Sequence, residues 1–160
     1  MLRNARGCTL AEVAVATGIL TTVSVGVAQM FVLAAARNLA SRQLVAATAL
    51  ATKKMEELRA LGFSTDSVAA ALDPSPANAL DEDTPGFVDY LDAQGTPVEA
   101  RQAVFIRRWS IAPAGIAGDA LVITVLATVA AHERTRPRFG RRVRLPEDAV
   151  LVAARAKRTP

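Results

Sequence analysis

One run of the chain constrains it more than any other. From Cys8 to Ala36, about 29 residues pass with a single formal charge, that of Glu12. Roughly 20 apolar residues suffice to cross a bilayer core as a helix. Arg3 and Arg6 precede the run, and Arg37 ends it. Proline first appears at Pro74, so nothing stops a helix at the membrane edge. The following stretch, NLASRQLVAATALATKKMEELRALGF, keeps a helical rhythm. Leu44, Ala47, Leu50 with Ala51, Met55, Leu58 and Leu61 recur at spacings of three to four and form one apolar stripe. Lys53, Lys54, Glu56, Glu57 and Arg59 occupy the other faces, and Gly62 is a C-terminal stop. The pattern predicts one continuous helix over 9–61, roughly 80 Å long. Its first half suits lipid and its second half is amphipathic.

Hydrophobic residues make up 51% of the chain but aromatics only 4%, so any globular part is modest. Residues 64–86, rich in Ser, Asp and Pro, read mainly as loop, with Val68–Leu72 able to form a helical turn. Strand patterns follow at 87–91, 103–113, 120–132, 139–145 and 149–156, with Pro113 ending the second. Turn residues fall at Gly95-Thr96-Pro97, at Ala114-Gly115 with Gly118-Asp119, and at Pro146-Glu147-Asp148. Such short connections favour an antiparallel meander. Leu121, Ile123, Val125, Ala127 and Val129 share one face of the longest strand. The opposite face is also apolar, so one of the two is expected against the amphipathic half of the helix. The fold class is α+β: a long N-terminal helix packed on a small antiparallel sheet.

Several chemistries find no footing. Cys8 is the single cysteine, which rules out an intramolecular disulfide. The single histidine, His132, has no cysteine or second histidine nearby, so no zinc motif is formed. No pattern pairs a nucleophile with a base, and the chain reads as a non-enzyme that needs no cofactor. A net charge of +4 permits contact with nucleic acid or anionic lipid without requiring it.

The N-terminal run is not an ordinary secretory signal, because it is about twice the usual 7–15 residues and contains an acid. A lipoprotein signal would place its apolar segment before Cys8, not after it. A plain anchor accounts for the length but not for Glu12, since a carboxylate at membrane depth costs several kcal/mol. The order of residues here is a short basic leader ending in Gly7, then Cys8-Thr9-Leu10-Ala11-Glu12, then a long apolar helix. It resembles a type IV prepilin N-terminus. ATALATKKMEELRALGF and YLDAQGTPVEARQAVFIRRWSI are similar in pattern to minor pilins of the PilV type, and less closely to type II secretion pseudopilins. Where that family usually begins its mature chain with Phe, this one has Cys8.

The resemblance implies that residues 1–7 are a leader removed by prepilin peptidase between Gly7 and Cys8, with N-methylation of Cys8. Residues 8–36 would be a transmembrane and assembly helix, 37–62 its amphipathic continuation, and 63–160 a globular head. Thr9 and Leu10 belong to the motif. Glu12 would meet the α-amine of a neighbouring subunit, an attraction that is strong in low dielectric and sets axial register. Glu12 also lies in the first helical turn, where negative charge is favoured. Partners would be other pilins through the N-terminal helix, the peptidase and the inner membrane, with the head in the periplasm and later on the cell surface. Arg37, Arg42, Lys53 and Lys54 follow the span, so the basic residues alone do not set that orientation. The alternatives are a type II secretion pseudopilin and a membrane-anchored periplasmic binding module, with DNA as its ligand.

Three further features have plainer readings. Asp81, Glu82, Asp83, Asp89 and Asp92 read as a solvated acidic loop, since their spacing is not that of a calcium loop. Arg134, Arg136, Arg138, Arg141, Arg142 and Arg144 form a basic strip able to meet phosphates, yet a solvent face or a subunit contact is the simpler reading. Its first three members would share one side of an extended segment. Trp109 reads as a core anchor, and Gly18 with Gly26 would allow close approach of another helix.

Overall fold

In the computed structural model, the described residues are 9–61, 72–114, 120–135 and 144–156. The order of elements is helix α1 (Leu10–Ala60), strands β1 (Val88–Leu91), β2 (Phe105–Ala114) and β3 (Ala120–Val129), helix α2 (Ala130–Thr135) and strand β4 (Ala149–Ala156). The chain divides into two compact units, Met1–Ala40 and Ser41–Pro160.

In the first unit, α1 is apolar all round. Ile19, Leu20, Met30, Phe31 and Val32 are each more than 60% exposed, so the fold buries none of them. The helix is long and apolar enough to cross a membrane. Three of its threonine hydroxyls are satisfied locally. Thr17 donates to the Val13 carbonyl at 2.7 Å and Thr22 to that of Gly18 at 2.9 Å, while Thr21 donates to that of Thr17. A side chain that back-bonds to its own helix carries no unsatisfied donor into an apolar medium.

In the second unit, α1 is amphipathic, as its sequence pattern predicts. Ala47, Ala51, Met55 and Leu58 are buried. They join a core with Leu91, Phe105, Trp109, Ile111, Leu121, Ile123, Val125, Ala127, Val129 and Ala149. The four strands form an antiparallel meander in the order β1-β2-β3-β4. Pairing of Phe105 with Val129, Trp109 with Val125 and Ile111 with Ile123 puts large residues of β2 opposite branched ones of β3 on the helix side. The other side holds a smaller cluster of Ala103, Ile106 and Ala130, covered by Val88, Tyr90 and Val98. Arg155 of β4 donates to the carbonyls of Arg59 at 2.9 Å and Leu61 at 2.5 Å. Carbonyls at a helix C-terminus lack intrahelical donors, and a guanidinium satisfies them while complementing the dipole.

Strand boundaries differ from the pattern at several points: β1 begins at Val88 and not at 87, and β2 at Phe105 and not at 103. Pro113 does not end β2, which pairs through to Ala114. Beyond Arg108, β2 has no β1 neighbour. There the Ile111 N–H turns outward to Ser75 Oγ, at 2.9 Å. Two residues on, the N–H that proline lacks would point to the same open edge, where no ladder bond is lost. The run 120–132 is not strand throughout either, because Ala130–Thr135 turns into α2. The last pair of β2 and β3 is Phe105 with Val129; beyond it Ala130 still donates its N–H to the Val104 carbonyl at 2.9 Å, after which the ladder stops and two alanines favour helix. Of the strand expected at 139–145, residues 139–143 lie outside the described residues. Arg144 and Leu145 are not in a strand, and Leu145 instead opens a turn closed by Asp148 N donating to Leu145 O at 3.0 Å. The helix stop at Gly62 and most of the turn at 68–72 also fall outside the described residues.

The turn after β1 is built on Asp92, whose Oδ1 accepts from the N–H groups of Gln94 at 2.9 Å and Thr96 at 2.8 Å. Gly95 sits there at φ +81°, and a Cβ on it would lie 2.7 Å from Leu50 Cδ2. Gly95→Ala should therefore cost about 1–3 kcal/mol. Ile123→Ala, at a fully buried site, should cost about 2–5 kcal/mol. Val152→Ala, 66% exposed, should stay within about 0.5 kcal/mol. Urea unfolding of the detergent-solubilised chain, followed by the fluorescence of its single Trp109, ranks the three.

Candidate functional site

Gly7 and Cys8 lie outside the described residues. Thr9 stands immediately before α1, Leu10 opens the helix, and Glu12 falls in its first turn. The first N–H groups of a helix have no carbonyl to bond. Here two side chains supply what is missing. Thr9 donates its backbone N–H to Glu12 Oε2 at 2.8 Å and its hydroxyl to the same oxygen at 3.0 Å. Glu12 N–H donates back to Thr9 Oγ1 at 3.3 Å. This is a capping box, with threonine as N-cap and glutamate three residues on. The resemblance implies a partner for Glu12 in another subunit; the structure shows one in its own chain. Its signature, T-x-x-E before an apolar run, is present in the sequence.

The arrangement fixes what the carboxylate can do. An ionised carboxylate offers about four acceptor positions over two oxygens. Both bonds donated by Thr9 go to Oε2. The carboxylate is thus held in one orientation at an exposed helix start, with acceptor capacity left for a cation from outside the chain. Leu10 beside it is 89% exposed.

The acidic loop is more than a solvated face. Arg107 and Arg108 are both buried, and being consecutive on β2 they point to opposite sides of the sheet. Arg107 takes Asp89 Oδ2 at 2.6 Å and reaches across to the Leu50 carbonyl of α1 at 2.9 Å. Lys54 pairs with the same Asp89 oxygen at 3.4 Å and lies 3.9 Å from the centroid of the Trp109 ring. Trp109 is thereby a core anchor, as read, and also a cation–π platform for a residue of α1. On the other side, Arg108 is 1% exposed and bonds Asp83 Oδ1 through Nε at 2.9 Å and Nη2 at 2.7 Å, with Glu133 of α2 at 3.4 Å. Asp81 pairs with Arg144 at 3.6 Å, and Asp92 builds its turn. Asp83, Asp92 and Asp89, the last on β1 and not in a loop, are therefore structural, while the Asp81 pair is exposed. Among the described residues, no group of three or more His, Cys, Asp or Glu is placed to hold a metal ion.

The basic strip is also redistributed. Arg134 lies on α2, not on an extended segment, and its guanidinium donates to the carbonyls of Ala100, Arg101 and Ala103 at 3.4, 3.0 and 3.4 Å. Arg136, Arg138, Arg141 and Arg142 lie outside the described residues. Around Gly18 and Gly26 there is open space, with nothing within 4 Å of an added Cβ.

Burial holds the Tyr90 phenol above its ordinary value of 10.0, and hydrogen bonding with the Asp83 carboxylate adds to this, against an opposing effect of Arg108. The folded chain therefore keeps this proton more tightly than the unfolded chain does. The resulting stability is fully present below about pH 10 and is lost as pH rises through the folded value. Tyr90→Phe removes that loss. Thermal unfolding of both proteins from about pH 8 to about pH 11 should show wild type falling relative to the variant above about pH 10. Curves that stay parallel would contradict this.

Comparison with models of protein families, with curated proteins and with solved structures gave no match to this chain.

Proposed function

We propose that this chain is a minor type IV pilin, a structural subunit that is processed by prepilin peptidase and helps initiate or modify a pilus. One conjunction carries the reading. In sequence Gly7–Cys8 precedes Thr9, Leu10 and Glu12, and Leu10 opens a helix whose first part is apolar and exposed and whose second part packs on a four-stranded antiparallel sheet. The leader residues 1–7 are cut off on the cytoplasmic side, Cys8 becomes the methylated N-terminus, and the rest stays anchored in the inner membrane with its head in the periplasm. Glu12 then meets the α-amine of a neighbouring pilin. The oriented carboxylate at the helix start supports this role, because a pre-set acceptor loses less freedom when its partner arrives. Against the DNA-binding alternative stands Arg134, whose Nη2 donates to the carbonyls of Ala100, Arg101 and Ala103.

Mass spectrometry of the chain purified from membranes tests the cleavage. The mature protein should begin at Cys8, and Gly7→Val should retain residues 1–7, because a bulky side chain obstructs the junction. A mature start at Arg37 would establish a secretory signal instead.

Substitution of Glu12 tests assembly. Glu12→Val should be inserted and cut like wild type but should co-purify with few partner pilins, since their amines lose a counter-charge. Glu12→Asp should fall between the two, with its charge kept and its reach one methylene shorter. A Glu12→Val chain that is cleaved, stable and fully competent in association would reduce Glu12 to a helix cap and sink the pairing role.

A further inference from the structure

We draw no further inference here: the strongest candidate, the outer face of edge strand β4 where Val150 and Val152 are 44% and 66% exposed, is an unpartnered apolar surface, and nothing in the structure shows what covers it.

Discussion

The fold rests on the seam between the second part of α1 and the sheet. Ala47 and Ala51 are fully buried at its centre, with Met55 and Leu58 further along. Across it lie Phe105, Trp109 and Ile111 of β2 and Ile123 and Val125 of β3. Burying a large side chain contributes about 1.5–3 kcal/mol, and a head with few aromatics has few such residues to use. Small residues on the helix face large ones on the sheet, which lets the two surfaces of a thin core approach closely. A helix with one apolar stripe needs a single partner surface, and four short strands provide it. The β1 turn reinforces the same seam, since Gly95 meets Leu50 where a larger residue would press on it.

Charge is used inside this small core as well as around it. Isolated buried charges are costly, and a buried pair repays its desolvation only with good geometry and further hydrogen bonds. Arg107 meets that condition on one face, and Arg108 meets it in part on the other, through Nε and Nη2 but with its buried Nη1 unbonded. Asp89, Lys54 and the Leu50 carbonyl surround one, and Asp83 and Glu133 surround the other. The first network joins α1 to β1 and β2. The second joins the loop before β1 to α2. Two adjacent residues on one strand thus fasten both layers that lie over the sheet, which a pair of apolar residues would cover but not orient.

Much of this architecture was legible in the sequence. The long helix showed itself by an uninterrupted apolar run passing into a three-to-four spacing, and β4 by eight residues bounded by Pro146-Glu147-Asp148. These are local patterns. What was not legible depends on partners distant in sequence. Nothing near Arg108 marks it as buried, because its acids lie at Asp83 and Glu133, 25 residues away on either side. Pro113 looked like a terminator because the open edge beside it follows only from the shortness of β1. Ala130 looked like strand because the end of its ladder is set by β2. The capping box was different in kind. Its signal is local and complete in Thr9 and Glu12, three residues apart at the head of an apolar run.

The observed cap and the proposed pairing role of Glu12 are compatible on physical grounds. Placing a carboxylate at the start of an apolar helix costs free energy unless something bonds it. Thr9 supplies two donors, so the chain carries its acid in a partly satisfied form from the outset. Thr17, Thr21 and Thr22 are treated alike, each returning its hydroxyl to a carbonyl one turn back. Hydrogen bonding therefore leaves little reason for these hydroxyls to seek partners. Glu12 differs from them in one respect: two neutral donors spread its negative charge but do not cancel it. In water that residue of charge is screened. In a medium of low dielectric it remains the strongest attraction the first helical turn offers, and only a cation removes it. A cleavage that creates an ammonium group four residues away on the same chain, and on every neighbouring copy of such a chain, would supply one at the same depth. On the pilin reading, the cap serves insertion and the charge serves assembly, and a single glutamate can do both because the cap occupies one of its two oxygens.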